Sequence, residues 1–247
     1  MPLRTALAGR AIEPVVAHTE DGLAVRGWLV RNSADSDACV VLVAGIRGNR
    51  LASLSRATWY LQHGWSTLLV DLRGTGESDA APVSMGFHEA RDLAAWLALL
   101  RQRGFRAVGA HGQSLGAAAI VYGALDWRFV VLEACYGDVA SALENRLPWV
   151  PLPALTLWPM RAASEWLMGV AADRLRPIDA IRELRSSTLF LCGDRDEKVG
   201  AGVTEALLEA SGAQNKRFVA VSGAGHLDLF AFPELPRALA GFVPPPR

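Results

Sequence analysis

Lysine is nearly absent: of the 25 basic residues only Lys198 and Lys216 are lysines, and 25 acidic residues bring the formal net charge to zero. No basic tract is left to hold a nucleic acid or an anionic membrane, so neither is an expected partner. Cysteine is as sparse. Cys39, Cys135 and Cys192 follow no metal-ligand spacing, and Cys39 and Cys192 sit inside apolar runs, which makes them small core residues and leaves no metal site and no disulfide to expect. No stretch approaches the ~18 to 20 unbroken apolar residues of a transmembrane helix. Residues 1–14 carry Arg4 and Arg10 but no apolar segment long enough for a secretory signal, so a cytoplasmic location is expected.

What the chain does have is 51% hydrophobic residues in short, punctuated runs. Strand-like segments occur at 13–19, 23–31, 38–44, 66–72, 107–110, 129–134, 188–192 and 217–221. The first two form a hairpin turning at Glu20-Asp21-Gly22. Later ones, such as Val40-Val41-Leu42-Val43 and Thr67-Leu68-Leu69-Val70, are continuously apolar, as suits parallel strands covered on both faces. Helical stretches fall at 50–63, 87–103, 114–125, 200–210 and 233–242, and in the second Leu93, Trp96, Leu97 and Leu100 make a core stripe at helical spacing. Strands alternating with helices after an antiparallel start predict an α/β fold, with a mostly parallel eight-stranded sheet and helices on both faces. The 247 residues suit one such domain.

Residues 145–175 break the rhythm. Pro148, Pro151, Pro153 and Pro159 interrupt an apolar segment that holds Trp149, Trp158 and Trp166. The reading is a small cap inserted in the domain, whose tryptophans wall an apolar substrate pocket; a passive connection is the alternative.

Chemistry concentrates at three loops. Gly112-Gln113-Ser114-Leu115-Gly116 follows an apolar run and opens an alanine-rich helix, the pattern of a nucleophile elbow that projects a serine hydroxyl above a sheet. A neutral hydroxyl needs a base. His226, in Ser222-Gly223-Ala224-Gly225-His226, ends a glycine-rich loop after a strand and is the candidate. His18, His63 and His88 lie elsewhere, and His111 precedes the serine too closely, so it supports the turn or lines the pocket. The acid that orients the histidine could be Asp194, Asp196 or Glu197 in the loop after residue 192, or Glu133 or Asp138 after the preceding strand. Asp194 and Glu197 read more simply as solvated charges and Asp138 as a helix N-cap. Oxyanion donors would be the backbone N–H groups of Leu115 and of Ile46, the latter in Gly45-Ile46-Arg47-Gly48-Asn49. Asp71-Leu72-Arg73-Gly74-Thr75-Gly76-Glu77-Ser78 reads as scaffold, with Asp71 and Arg73 pairing or capping locally.

Taken together, Val43-Ala44-Gly45 with Gly48-Asn49, the Asp71 to Ser78 motif, Gly112 to Gly116, Gly193-x-x-Asp196-x-x-Val199 and Gly225-His226 resemble the α/β-hydrolase superfamily. The likeness runs over residues 25–242 and is strongest to its serine hydrolases: esterases, lipases, thioesterases and serine aminopeptidase-like proteins. That resemblance implies the α/β-hydrolase fold, Ser114 as nucleophile, Asp196 as acid, His226 as base and no cofactor. Where many relatives carry histidine before the oxyanion-loop glycine, this chain has Ala44. The expected activity is cleavage of small-molecule carboxylic esters or thioesters with an apolar acyl group, through an acyl-serine. Amide cleavage or acyl transfer on the same residues, or ligand binding without catalysis, are the alternatives.

Overall fold

The computed structural model describes residues 7, 9–139, 162–163 and 165–246. Eight strands, β1 (Glu13–His18), β2 (Ala24–Val30), β3 (Ala38–Val43), β4 (Ser66–Val70), β5 (Ala107–Gln113), β6 (Val130–Glu133), β7 (Thr188–Gly193) and β8 (Lys216–Val221), form one sheet. Its order is β1-β2-β4-β3-β5-β6-β7-β8. β1 and β2 pair antiparallel, as do β2 and β4, and every pairing from β4 through β3 to β8 is parallel. The sheet is therefore mixed at one edge and parallel where the site lies.

Every residue of β3, β4, β6 and β7 is buried, which accounts for their unbroken apolar character. Five longer helices cover the sheet: α1 (Leu54–Gln62), α2 (Glu89–Gln102), α3 (Leu115–Gly123), α4 (Ala201–Ala210) and α5 (Glu234–Ala240). Leu93, Trp96, Leu97 and Leu100 of α2 join Ile120 and Val121 of α3 in one core layer. Tyr60 and Leu61 of α1 join Trp65, Leu235 and Leu239 in the other. Helix α3 is buried almost all round, as an alanine-rich helix wedged between sheet and α2 must be.

The hairpin turns as expected, with His18 opposite Ala24 and Gly22 at φ 87. Strand β5 runs three residues beyond the predicted 107–110, because Gly112 and Gln113 pair with Leu132 and Glu133 of β6. The predicted helix 50–63 divides into a 3₁₀ turn, Arg50–Ser53, and α1, with the Asn49 side chain capping the turn. Of the expected cap, residues 145–161 and 164, with Trp149 and Trp158, lie outside the described residues. Trp166 is 82% exposed. No described helix is long and apolar enough to cross a membrane.

Candidate active site

The β5–α3 junction is strained. Ser114 sits at φ 51, ψ −110, a region costing a residue with a side chain on the order of 1–3 kcal/mol. Its surroundings leave it no choice. A Cβ on Gly112 would come 2.5 Å from the Gly116 backbone, and one on Gly116 would come 2.6 Å from the Val43 carbonyl oxygen, so both glycines are required for the turn to pack. The Ser114 N–H donates to the Glu133 carbonyl at 2.8 Å, tying the turn to the end of β6. Leu115 then begins α3, whose first turn leaves amides without partners inside the helix.

His226 reaches Ser114 from the loop after β8. Its Nε2 lies 3.1 Å from Ser114 Oγ and its Nδ1 2.7 Å from Asp196 Oδ2, with the ring 8% exposed. Nδ1–H donation to the carboxylate leaves the Nε2 lone pair to accept the serine proton. Asp196 also accepts the N–H groups of Lys198 and Val199 at 2.9 and 3.1 Å through Oδ1. Burial would raise the Asp196 pKa, but the His226 ring and the two amides outweigh it and hold the carboxyl below its ordinary value. The three side chains that the sequence motifs single out thus meet in one hydrogen-bonded line, although 112 residues separate serine from histidine.

The competing acids are occupied elsewhere. Asp194 is an exposed loop charge, as expected, and also accepts Ser222 Oγ–H at 3.0 Å and Gly223 N–H at 2.7 Å, clamping the start of the histidine loop. Asp228 holds the other side by accepting Gly225 N–H at 2.7 Å, a role that sequence reading missed. Glu197 is exposed, and Asp138 lines a separate groove of about 340 Å³ with Arg176 and Lys198. Glu133 is fully buried between Arg56 and His111. His111 accordingly lies buried within the sheet layer instead of lining the pocket, in contact with Glu133. Among the other histidines, His18 is exposed, His63 stacks on Trp59 with ring centres 3.9 Å apart, and His88 faces the Gly169 carbonyl.

Beside the serine, the loop after β3 turns through Arg47 at φ 63, with Gly48 N–H bonded to the Gly45 carbonyl at 2.9 Å. A Cβ on Gly45 would stand 3.4 Å from that of Ser114, so this loop borders the serine side chain. Residues 44–48 and Leu115 bound a cavity of about 10 Å³, room for about one water. Ile46 and Leu227 are 40% and 67% exposed on the two flanking loops and give the site an apolar rim.

The scaffold loop after β4 corrects one expectation: Asp71 and Arg73 do not pair with each other. Asp71 accepts Arg50 N–H and Glu77 N–H at 2.7 and 2.9 Å and pairs with the Arg50 guanidinium. Arg73 runs instead to Asp92 and Asp21. The three cysteines are free and buried, with the Cys135 thiol pushed up to about 12 by burial. Among the described residues no cluster of three or more His, Cys, Asp or Glu could hold a metal.

A sequence model described as "Alpha/beta hydrolase family" matches residues 40–242. The uncharacterised protein MT2364 of Mycobacterium tuberculosis is 30% identical over 218 residues, which is 87% of this chain and 72% of that one. The uncharacterised Bacillus subtilis protein YqkD is 26% identical over 221 residues, 82% of this chain and 69% of its own length. Among solved structures, the Pyrococcus furiosus esterase PF2001 superposes with a TM-score of 0.80 at 20% identity, covering 98% of this chain and 94% of the esterase. A thermophilic esterase from Thermogutta terrifontis superposes at 0.66 with 18% identity, covering 94% of this chain and 98% of that one.

Proposed function

This chain belongs to the alpha/beta hydrolase family, and from that premise we propose that it is a serine hydrolase of carboxylic esters or thioesters. The observation that carries the reading is the Asp196–His226–Ser114 line of hydrogen bonds, ending on a serine held in a strained turn. In this reading His226 Nε2 takes the Ser114 proton as Oγ bonds to the substrate carbonyl carbon. Asp196 holds the imidazole tautomer and stabilises the imidazolium that forms. Negative charge on the former carbonyl oxygen falls to the N–H groups of Leu115 and Ile46. Collapse of the tetrahedral intermediate breaks the bond to the leaving alcohol or thiol, which receives its proton from His226. Water then attacks the acyl-serine with His226 as base, releasing the acid and restoring the Ser114 hydroxyl.

The apolar side chains of Ile46 and Leu227, exposed on the loops beside Ser114 and His226, support an acyl group of hydrocarbon character. The esterase names of the two structural neighbours agree with an ester substrate. Turnover of a chain-length series of p-nitrophenyl esters, acyl thioesters and aminoacyl anilides by the parent and by Ser114→Ala tests the reading. Serine-dependent cleavage of esters or thioesters, rising with acyl length, is expected. A preference for anilides would make the chain a peptidase or amidase, and ester cleavage that survives Ser114→Ala would remove the serine mechanism.

A further inference from the structure

A second carboxylate–histidine–hydroxyl line lies directly beneath the elbow and is wholly buried. Glu133 takes Arg56 Nε–H at 3.0 Å on Oε1, and its Oε2 pairs with the same guanidinium. His111 Nε2 lies 2.5 Å from Glu133 Oε1, and His111 Nδ1 lies 3.1 Å from the Tyr60 hydroxyl. The protonation states of Glu133, His111 and Tyr60 follow. Burial would raise the Glu133 pKa, but the Arg56 charge and the His111 hydrogen bond hold it down, at about 2. Burial lowers that of His111, whose neutral ring donates Nε2–H to Glu133 and accepts the Tyr60 O–H at Nδ1. Burial keeps the Tyr60 proton in place. The cluster is neutral overall and every one of these contacts is made by a side chain the proposed reaction does not consume.

One backbone hydrogen bond and one short run of chain connect the cluster to Ser114. Glu133 is the residue whose carbonyl accepts the Ser114 N–H, and His111 stands three positions before Ser114 on β5. Arg56 also packs over the Phe230 ring, 5.4 Å from guanidinium carbon to ring centre, four positions beyond His226. We propose that the Arg56–Glu133 ion pair, with His111, is a positioning device that fixes the strained Ser114 backbone and the histidine loop relative to each other. The inference rests on the serine-hydrolase reading for its kinetic consequence but not for its structural one. A buried ion pair is a poor source of net stability, so its place beside a strained turn fits a requirement for one geometry.

Arg56→Met combined with Glu133→Gln removes both charges, keeps the volumes and leaves an acceptor for His111, so the variant is expected to keep the parental melting temperature within a few degrees. Its kcat should fall about tenfold or more with KM within about twofold, as misplacement of a reacting group by a fraction of an ångström does. Hydrogen exchange in the peptide covering 112–116 should quicken. Arg56→Lys, which keeps the charge but not the paired contact, should fall between parent and double variant. A double variant with parental exchange in that peptide would overturn the proposal, whatever its kinetics. A parent that cleaves no ester would count against the proposed function alone, since exchange still reports the positioning.

Discussion

Among the described residues two lines of carboxylate, imidazole and hydroxyl stand side by side, and they differ in their surroundings. At Asp196–His226–Ser114 the carboxylate faces backbone amides, the histidine is on a loop, and the hydroxyl ends at a rim open to solvent. At Glu133–His111–Tyr60 the carboxylate is matched by a guanidinium, the histidine is in mid-strand and all three side chains are fully buried. Distances alone do not separate them, since the histidine–hydroxyl separation is 3.1 Å in both. What differs is the exposure of the flanking loops, where Ile46 and Leu227 are 40% and 67% exposed, and the guanidinium that neutralises the buried Glu133. A triad is thus defined by its surroundings as much as by its members.

The largest effects should fall on the open line. Ser114→Ala and His226→Ala are each expected to lower kcat by about four to six orders of magnitude, because triad members act as a unit. Asp196→Asn should cost about three to four orders through the wrong histidine tautomer, measured on the same ester. Asp194→Asn, although two residues away, should keep kcat within roughly fivefold, since it loses one of the loop bonds and no contact with the imidazole. Equal losses for the two aspartates would erase the distinction between acid and loop clamp.

On the closed line the expected loss is of stability. Glu133→Ala strands a buried guanidinium and should cost about 3–5 kcal/mol in urea denaturation. Gly116→Ala, whose methyl meets the Val43 and Ala44 carbonyls, should cost about 1–3 kcal/mol by overpacking. The mildest effect is in the pH profile of unfolding. Glu133 and Asp196 both have native pKa values below their ordinary 4.5 and 3.8, so the unfolded chain binds these protons more readily. Their contribution is full above about pH 4.5 and disappears as pH falls towards 2. The Arg56→Met, Glu133→Gln variant should lose less stability over that interval than the parent, and an unchanged acid limb would contradict a depressed Glu133.

Ser114 and His226 were legible in sequence because they obey local rules, whereas Asp196 was separated from Asp194, Glu197, Glu133 and Asp138 only by the family resemblance. Gly112 and Gly116 are there for steric reasons that act within five residues, and the loops holding Asp196 and His226 each follow an apolar strand. The closed line was not, because Arg56 and Glu133 lie 77 residues apart and nothing in Glu133's neighbours distinguishes a buried ion-pair partner from a loop acid. Asp71 and Arg73 misled for the same reason: neighbours in sequence, they are bound to Arg50 and to Asp92 and Asp21. The end of β5 was hidden by its polar His111 and Gln113, which parallel pairing buries. Trp166, expected in the wall of a cap, is 82% exposed.

The most direct measurement is reaction of the purified protein with a fluorophosphonate, with the adduct located by intact and peptide mass spectrometry in the parent, Ser114→Ala and the Arg56→Met, Glu133→Gln variant. One adduct per chain on Ser114, absent from Ser114→Ala and slower to form in the double variant, is the expected result. A folded parent that forms no adduct, or one that is labelled at another residue, would contradict Ser114 as an activated nucleophile.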